Sequence, residues 1–185
     1  IGRNHDGIME LPAEAVVGTP AKEYLHIADD YLIGIGLTPN RVDAASHIGV
    51  ARDIAAYLKS RGERVEFKLP SVDGFKVDDT SRTIEVEVVN TEAAPRYAGI
   101  TVSGCKIAPS PEWMQNELRA AGIHPKNNLV DITNYVLFEL GQPLHAFDAD
   151  KIEGGKVVVR SANEGEKFVT LDGVERTLTA NDLMI

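Results

Sequence analysis

Cysteine occurs once in these 185 residues, at Cys105. One thiol excludes an intramolecular disulfide framework and a cysteine-based zinc site, and fits a reducing compartment such as the cytosol. With no sequence cue to a neighbouring base, Cys105 reads as a small apolar packing residue. Positive charge is also in short supply. Lys and Arg total 19 against 28 Asp and Glu, a net charge of −9, which disfavours non-specific nucleic-acid binding by the segment as a whole while leaving room for local basic surface. No apolar run approaches the roughly 18 uncharged residues that a membrane-spanning helix needs. No G-x-x-x-x-G-K-[ST] loop or G-x-S-x-G elbow is present, and Gly34-x-Gly36 leads to Pro39 rather than to a third glycine opening a helix, so neither nucleotide phosphates nor a serine nucleophile have an obvious place. The five histidines (His5, His26, His47, His124, His145) include no i, i+4 pair, and no metal site is expected.

What is present is ordinary globular material. The hydrophobic class makes up 43% and charged residues 25%, enough for one domain or two small ones. The chain begins with Ile1 rather than Met, with no basic-then-apolar leader after it, so no signal peptide is expected. Asp182-Leu183-Met184-Ile185 reads as the opening of a strand, which suggests a piece of a longer polypeptide.

Period-two alternation predicts strands at Tyr31–Leu37, weakened by Gly34 and Gly36, and at Val65–Leu69 and Ile84–Val88. The run from Tyr97 to Ile107 is β-rich but broken by glycines. A helix capped by Asp43 or Ser46 carries Ile48, Ala51, Ile54, Ala55 and Leu58 on one face and stops at Gly62. Pro70 to Ser81 is polar and turn-rich, a linker. Ser110-Pro111 opens a second helix, with Met114, Leu118 and Ala121 inward, that ends at Gly122. Residues 129–140 read as a short strand running into a helix that ends at Gly141. Lys156–Arg160 is a strand, and Phe168–Leu178 a hairpin turning at Asp172-Gly173. Helices and strands alternate irregularly, so the expected class is α+β, with a mixed, largely antiparallel sheet and packed helices, preceded by a small helix-containing domain.

Between Thr133 and Asp148, amide, hydroxyl, imidazole and carboxylate groups crowd among apolar neighbours. Such groups are costly to bury unless hydrogen-bonded. A plain account is a capped helix followed by a loop whose histidine bonds a carbonyl. Composition alone does not choose between that and a site.

Six blocks bear on the choice: Asn4-His5-Asp6-Gly7 with Glu10-Leu11-Pro12; Leu37-Thr38-Pro39-Asn40-Arg41-Val42-Asp43; Ile48-Gly49-Val50-Ala51-Arg52-Asp53; Ala108-Pro109-Ser110-Pro111-Glu112-Trp113-Met114; Val130-Asp131-Ile132-Thr133-Asn134-Tyr135-Val136; and Gly141-Gln142-Pro143-Leu144-His145-Ala146-Phe147-Asp148. In this order, across nearly the whole chain, they resemble the beta subunit of bacterial phenylalanyl-tRNA synthetase. The resemblance implies a division into residues 1–62, part of a small helical domain; 63–81, a strand and linker; and 82–185, the first part of an editing domain. It implies a cytoplasmic class II ligase in which an alpha subunit joins the beta subunit as α2β2, with phenylalanine tRNA as partner. ATP and Mg2+ are then needed by the whole enzyme, at a site in the other subunit, and no cofactor or metal is expected in this segment.

The resemblance also implies a chemistry. An apolar pocket built for phenylalanine only modestly rejects an analogue that adds one hydroxyl, so a second site is needed to hydrolyse tyrosine wrongly attached to the tRNA. It places Thr133, Asn134 and His145 in that pocket. Asn134 orients substrate or water through its amide, Thr133 offers a hydroxyl and backbone, and His145 accepts or relays a proton. Pro143 is expected to turn His145 back toward the helix presenting Asn134, while Asp148 fixes the loop or the imidazole. In the family the glycine-rich loop and the carboxylate that receives the tyrosine hydroxyl come later than Ile185, so the pocket here is partial and the fragment alone is expected to be inactive. Two other readings stand beside this one: a structural or tRNA-positioning module without catalytic residues, and a free-standing editing-like protein, which the match of residues 1–62 disfavours.

Overall fold

A computed structural model of the chain describes residues 7–27 and 29–185. The block that begins at Asn4-His5-Asp6 therefore starts outside the described residues. The chain divides into two compact units, Ile1–Gly36 and Leu37–Ile185.

In the first unit, Pro20 leads into the one-turn helix α1 (Ala21–Tyr24), its carbonyl accepting from the amides of Glu23 and Tyr24 at 2.9 and 3.0 Å. The strand expected from Tyr31 onward does not form. Tyr31, Leu32 and Ile33 are 90%, 79% and 75% exposed, and no backbone partner bonds to the stretch among the described residues. Alternation fixes which side chains share a face, but a strand also needs a neighbour to receive its hydrogen bonds.

The second unit is α+β. Its helices are α2 (His47–Ser60), α3 (Glu112–Ala120) and α4 (Asn128–Leu140); its strands are β1 (Glu85–Val88), β2 (Lys156–Ser161), β3 (Lys167–Val169), β4 (Glu175–Thr177) and β5 (Leu183–Met184). The sheet order is β1-β2-β5, with β1 parallel and β5 antiparallel to β2; β3 and β4 pair separately as an antiparallel hairpin. In the parallel register Glu85 faces Lys156, whose ammonium reaches the carboxylates of Glu85 and Glu87 at 3.0 and 2.5 Å. Asn90 donates its amide to the Ser161 hydroxyl at 2.8 Å, tying the end of β1 to the end of β2. At the hairpin turn Gly173 takes φ +79°, and the Asp172 carboxylate accepts from the Val174 amide.

Ser46, not Asp43, caps α2: its hydroxyl accepts from the Gly49 amide at 3.0 Å. Asp43 instead binds Arg41, which also grips Asp53 on α2 at 2.6 Å and so locks the preceding turn onto the helix. The packing face of α2 is narrower than its periodicity suggests. Gly49 and Ala55 are buried, whereas Ala51 and Ile54 are exposed. A Cβ on Gly49 would sit 2.4 Å from the Asp43 carbonyl oxygen, so only glycine lets that turn close.

Helix α4 packs against both α2 and α3. The buried apolar residues are Met114 and Leu118 of α3, Ala44 and Ala55 beside and within α2, and Val159 and Ala162 at the end of β2. Three local expectations are corrected. Residues 65–69 and 97–107 are not strands. Residues 128–140 are helical throughout, because Asn127 caps the first turn, accepting from the amides of Leu129 and Val130 at 3.1 Å each, and this outweighs the β-branched run. Cys105 is exposed rather than packed, because the segment carrying it lies outside the core.

Candidate functional site

Helix α4 owes its position to a group of polar bonds at its beginning. Asp131, in its first turn, is fully buried. One carboxylate oxygen accepts from the Ser110 hydroxyl at 2.5 Å, the other from the Lys126 amide at 2.8 Å. Ser110 was expected to cap α3, but that position falls to Pro111 and the Ser110 hydroxyl is committed to Asp131. Asn128 adds three bonds to the same junction. Its amide nitrogen donates to the Lys106 carbonyl at 2.9 Å, its side-chain oxygen accepts from the Ala108 amide at 3.3 Å, and its backbone amide donates to the Ala108 carbonyl at 2.8 Å. Gln115 closes the set by donating to the Ser110 carbonyl at 2.6 Å. Among the described residues no buried side-chain nitrogen or oxygen is left without a partner, the condition under which a buried polar network rigidifies instead of destabilising.

Trp113 of α3 meets Tyr135 of α4 edge to face, with ring centroids 5.5 Å apart and planes at 89°. Partial burial, helped by the nearby Glu117 and Glu139 carboxylates, raises the Tyr135 phenol above its usual range. The far end of α4 is anchored to α2. Gly141 ends the helix at φ +77°, and His47 approaches the Phe138 carbonyl with Nδ1 at 3.0 Å. A carbonyl only accepts, so Nδ1 donates there and satisfies one of the carbonyls that every helix end leaves open.

On this frame the three predicted site residues differ in what holds them. Thr133 is half-buried, and its hydroxyl donates to the Val130 carbonyl one turn back at 2.7 Å. Asn134 is half-buried too, yet its amide makes no hydrogen bond within the described residues. Both its donors and its acceptor stay available to a ligand or water. His145 is exposed on the loop after Gly141, its ring 6.0 Å from that of Phe147 and tilted by 33°. No hydrogen bond joins His145 to Thr133 or Asn134 among the described residues. The Asp148 carboxylate accepts from the Asp150 amide at 3.1 Å and caps the short turn Ala149–Lys151, so it fixes the end of the loop, not the imidazole. Two hollows lie in the first unit against α1, and neither is lined by any of these residues.

Sequence reasoning missed Asp131 as an organiser. A signal was there: one carboxylate in the apolar run Leu129-Val130-Asp131-Ile132, which a helix must either expose or pair.

No group of three or more His, Cys, Asp or Glu is placed to hold a metal ion among the described residues, and no described helix is long and apolar enough to cross a membrane. Comparison with known proteins bears out the resemblance drawn from the six blocks. Over all 185 residues the chain is 55% identical to the phenylalanine–tRNA ligase beta subunit of Bacteroides fragilis and 56% identical to that of Bacteroides thetaiotaomicron, covering 23% of each. It is 54% identical over the same length to the beta subunit of Porphyromonas gingivalis, covering 22%. The chain thus spans under a quarter of the length of these relatives. Within it, residues 93–185 match the B3/4 domain family along just over half of the sequence, and the chain belongs to that family.

Proposed function

We propose that this chain is a segment of a phenylalanine–tRNA ligase beta subunit and contributes part of an editing site that hydrolyses tyrosyl-tRNA(Phe). The observation that carries the reading is the likeness at 54–56% identity along every part of the chain to proteins bearing that name. The side chains support it. Asn134 presents an uncommitted amide from a helix held at both ends, and His145 presents an uncommitted imidazole on the adjoining loop.

In hydrolysis, water adds to the ester carbonyl and the bond from the acyl carbon to the ribose oxygen breaks. That oxygen takes up a proton, and tyrosine leaves as the free acid. Asn134 orients the water or the developing oxyanion, and His145 takes the proton from the attacking water and returns it to the ribose oxygen. Thr133, whose hydroxyl is spent on the Val130 carbonyl and whose backbone lies inside α4, serves by stiffening that turn. This favours a structural part for Thr133 within the same site. The proposed division is 1–62, 63–81 and 82–185, with the last stretch the first part of the editing domain; α2 packs on α4 wherever the first boundary falls. The whole enzyme is proposed as a cytoplasmic class II ligase, pairing with an alpha subunit as α2β2 and using phenylalanine tRNA, ATP and Mg2+. No residue of this segment is assigned to ATP or Mg2+, since the sequence has no phosphate loop.

The test is made in the complete enzyme. Asn134→Ala and His145→Ala should each slow tyrosyl-tRNA hydrolysis about a hundredfold, the effect of losing about 2–4 kcal/mol at a charge-developing centre, with phenylalanine charging nearly intact. Unchanged hydrolysis, or a parallel fall in hydrolysis, charging and melting temperature, contradicts the proposal and favours a scaffold role.

A further inference from the structure

Nothing in the reaction proposed above uses Asp131 or Ser110, yet the two form the most deeply buried polar contact of the second unit, Asp131 at 0% and Ser110 at 5% exposure. We propose that the Ser110–Asp131 hydrogen bond is a positioning device that sets where α4 presents Asn134, so that both are positioning residues for the hydrolytic site. The inference rests on the editing reading of that site.

Three stretches of chain meet at one carboxylate. Ser110 reaches it from the turn before α3, Lys126 from the link between α3 and α4, and Asp131 belongs to α4 itself. Both oxygens accept from neutral donors, and no cation pairs with the group among the described residues. The contact is therefore directional rather than a matter of charge: two hydrogen bonds at fixed angles define both the depth and the rotation of the helix at that point. Asn134 follows three residues later, about 4.5 Å further along the axis and on nearly the same side. A small rotation of α4 at Asp131 is carried directly to the Asn134 amide, which has no intramolecular bond of its own to correct it. The other bonds of the junction, from Asn128 and Gln115, hold the segments together without touching the Asp131 carboxylate. Loss of the Ser110–Asp131 bond should therefore leave a folded domain with a misaimed amide.

The experiment uses the complete synthetase with Ser110→Ala, Asp131→Ala, Asp131→Asn and Asn134→Ala. Each is assayed for tyrosyl-tRNA hydrolysis at a temperature where its own melting curve shows it folded. Ser110→Ala and Asp131→Ala should lower kcat about ten- to a hundredfold with KM and phenylalanine charging unchanged, the scale of rate loss that sub-ångström to ångström misplacement causes. Asp131→Asn keeps the size, still accepts from Lys126, and meets Ser110 with the hydroxyl turned to accept; it should return kcat to near the unsubstituted rate. A wild-type kcat in folded Ser110→Ala and Asp131→Ala, or an Asp131→Asn as slow as Asp131→Ala, overturns the inference. If Asp131→Ala does not fold, Ser110→Ala decides alone, since it removes one donor only. Asn134→Ala separates the two readings. Slow Asn134→Ala beside full-rate Ser110→Ala sinks the positioning role alone, whereas full-rate Asn134→Ala sinks the site and the positioning role with it.

Discussion

Helix α4 and the loop that follows it, residues 141–148, both carry polar residues proposed for one site, and they are held in opposite ways. The helix is fastened at its start through Asp131 and at its end through His47, with Leu118 and Met114 packed beneath it. The loop is exposed from Gly141 to Asp148, and its imidazole lies near another exposed ring, that of Phe147. On the proposed function, the helix holds the Asn134 amide in place and the loop leaves the His145 imidazole open to solvent. The comparison teaches that the same local polarity in sequence can be bonded into the structure in one element and left exposed in its neighbour.

The contrast can be broken from the helix side first. Leu118 is 1% exposed, and Leu118→Ala should cost the α3–α4 pair about 2–5 kcal/mol, read as faster hydrogen exchange of their amides in the full-length protein. Next comes the joint between the two regions. Gly141→Ala forces a Cβ into φ +77° and to 3.4 Å from Ser46, and should cost about 1 kcal/mol, confined to exchange in the last turn of α4. His145→Ala should shift stability by less than about 0.5 kcal/mol, because it empties no packed space, while having one of the two largest effects on hydrolysis. A stability loss as large as that of Leu118→Ala would erase the distinction between helix and loop.

A control away from both regions reads charge instead of packing. The Arg160 guanidinium bonds both oxygens of Glu166 at 2.9 and 2.6 Å, and the Asn163 amide adds a third bond. Together they pull the Glu166 carboxyl down from 4.5 to about 2. A lowered carboxyl value means that this contribution to the folded state is complete above about pH 4.5 and is lost as pH falls toward 2. An NMR titration of the Glu166 side chain should find its midpoint near 2 and, in Arg160→Gln, shifted up toward the ordinary glutamate range, with the Asn163 bonds keeping it below that range.

Most elements whose signals are local were legible. Ser46 and Gly62 bracket α2, Gly141 stops α4, and Asp172-Gly173 turns the hairpin, because caps and left-handed glycines act over four or five residues. The start of α4 was misread: Val130, Ile132 and Val136 favour a strand by shape, while the deciding bonds come from Asn127 and from Ser110, twenty-one residues before Asp131. The stretches at 31–37, 65–69 and 97–107 alternate as strands should, and alternation does not name a partner. Thr133, Asn134 and His145 were nominated by resemblance, not by chemistry visible along the chain. Local reading could find their polarity but not which of them would be left uncommitted.

The parallel pairing of β1 with β2 has a consequence in time. Glu85 and Lys156 face each other across a strand pair although 71 residues separate them in sequence, with α3 and α4 in between. During synthesis at about 5–20 residues per second, β1 waits several seconds for the strand that completes it. Through that interval the two helices can form, but the edge of β1 stays open to any extended chain nearby. Its outward residues are Glu85 and Glu87, which repel a second copy of the same edge until Lys156 arrives to neutralise both. The two carboxylates that meet Lys156 in the finished sheet thus also guard the edge of β1 before its own partner leaves the ribosome.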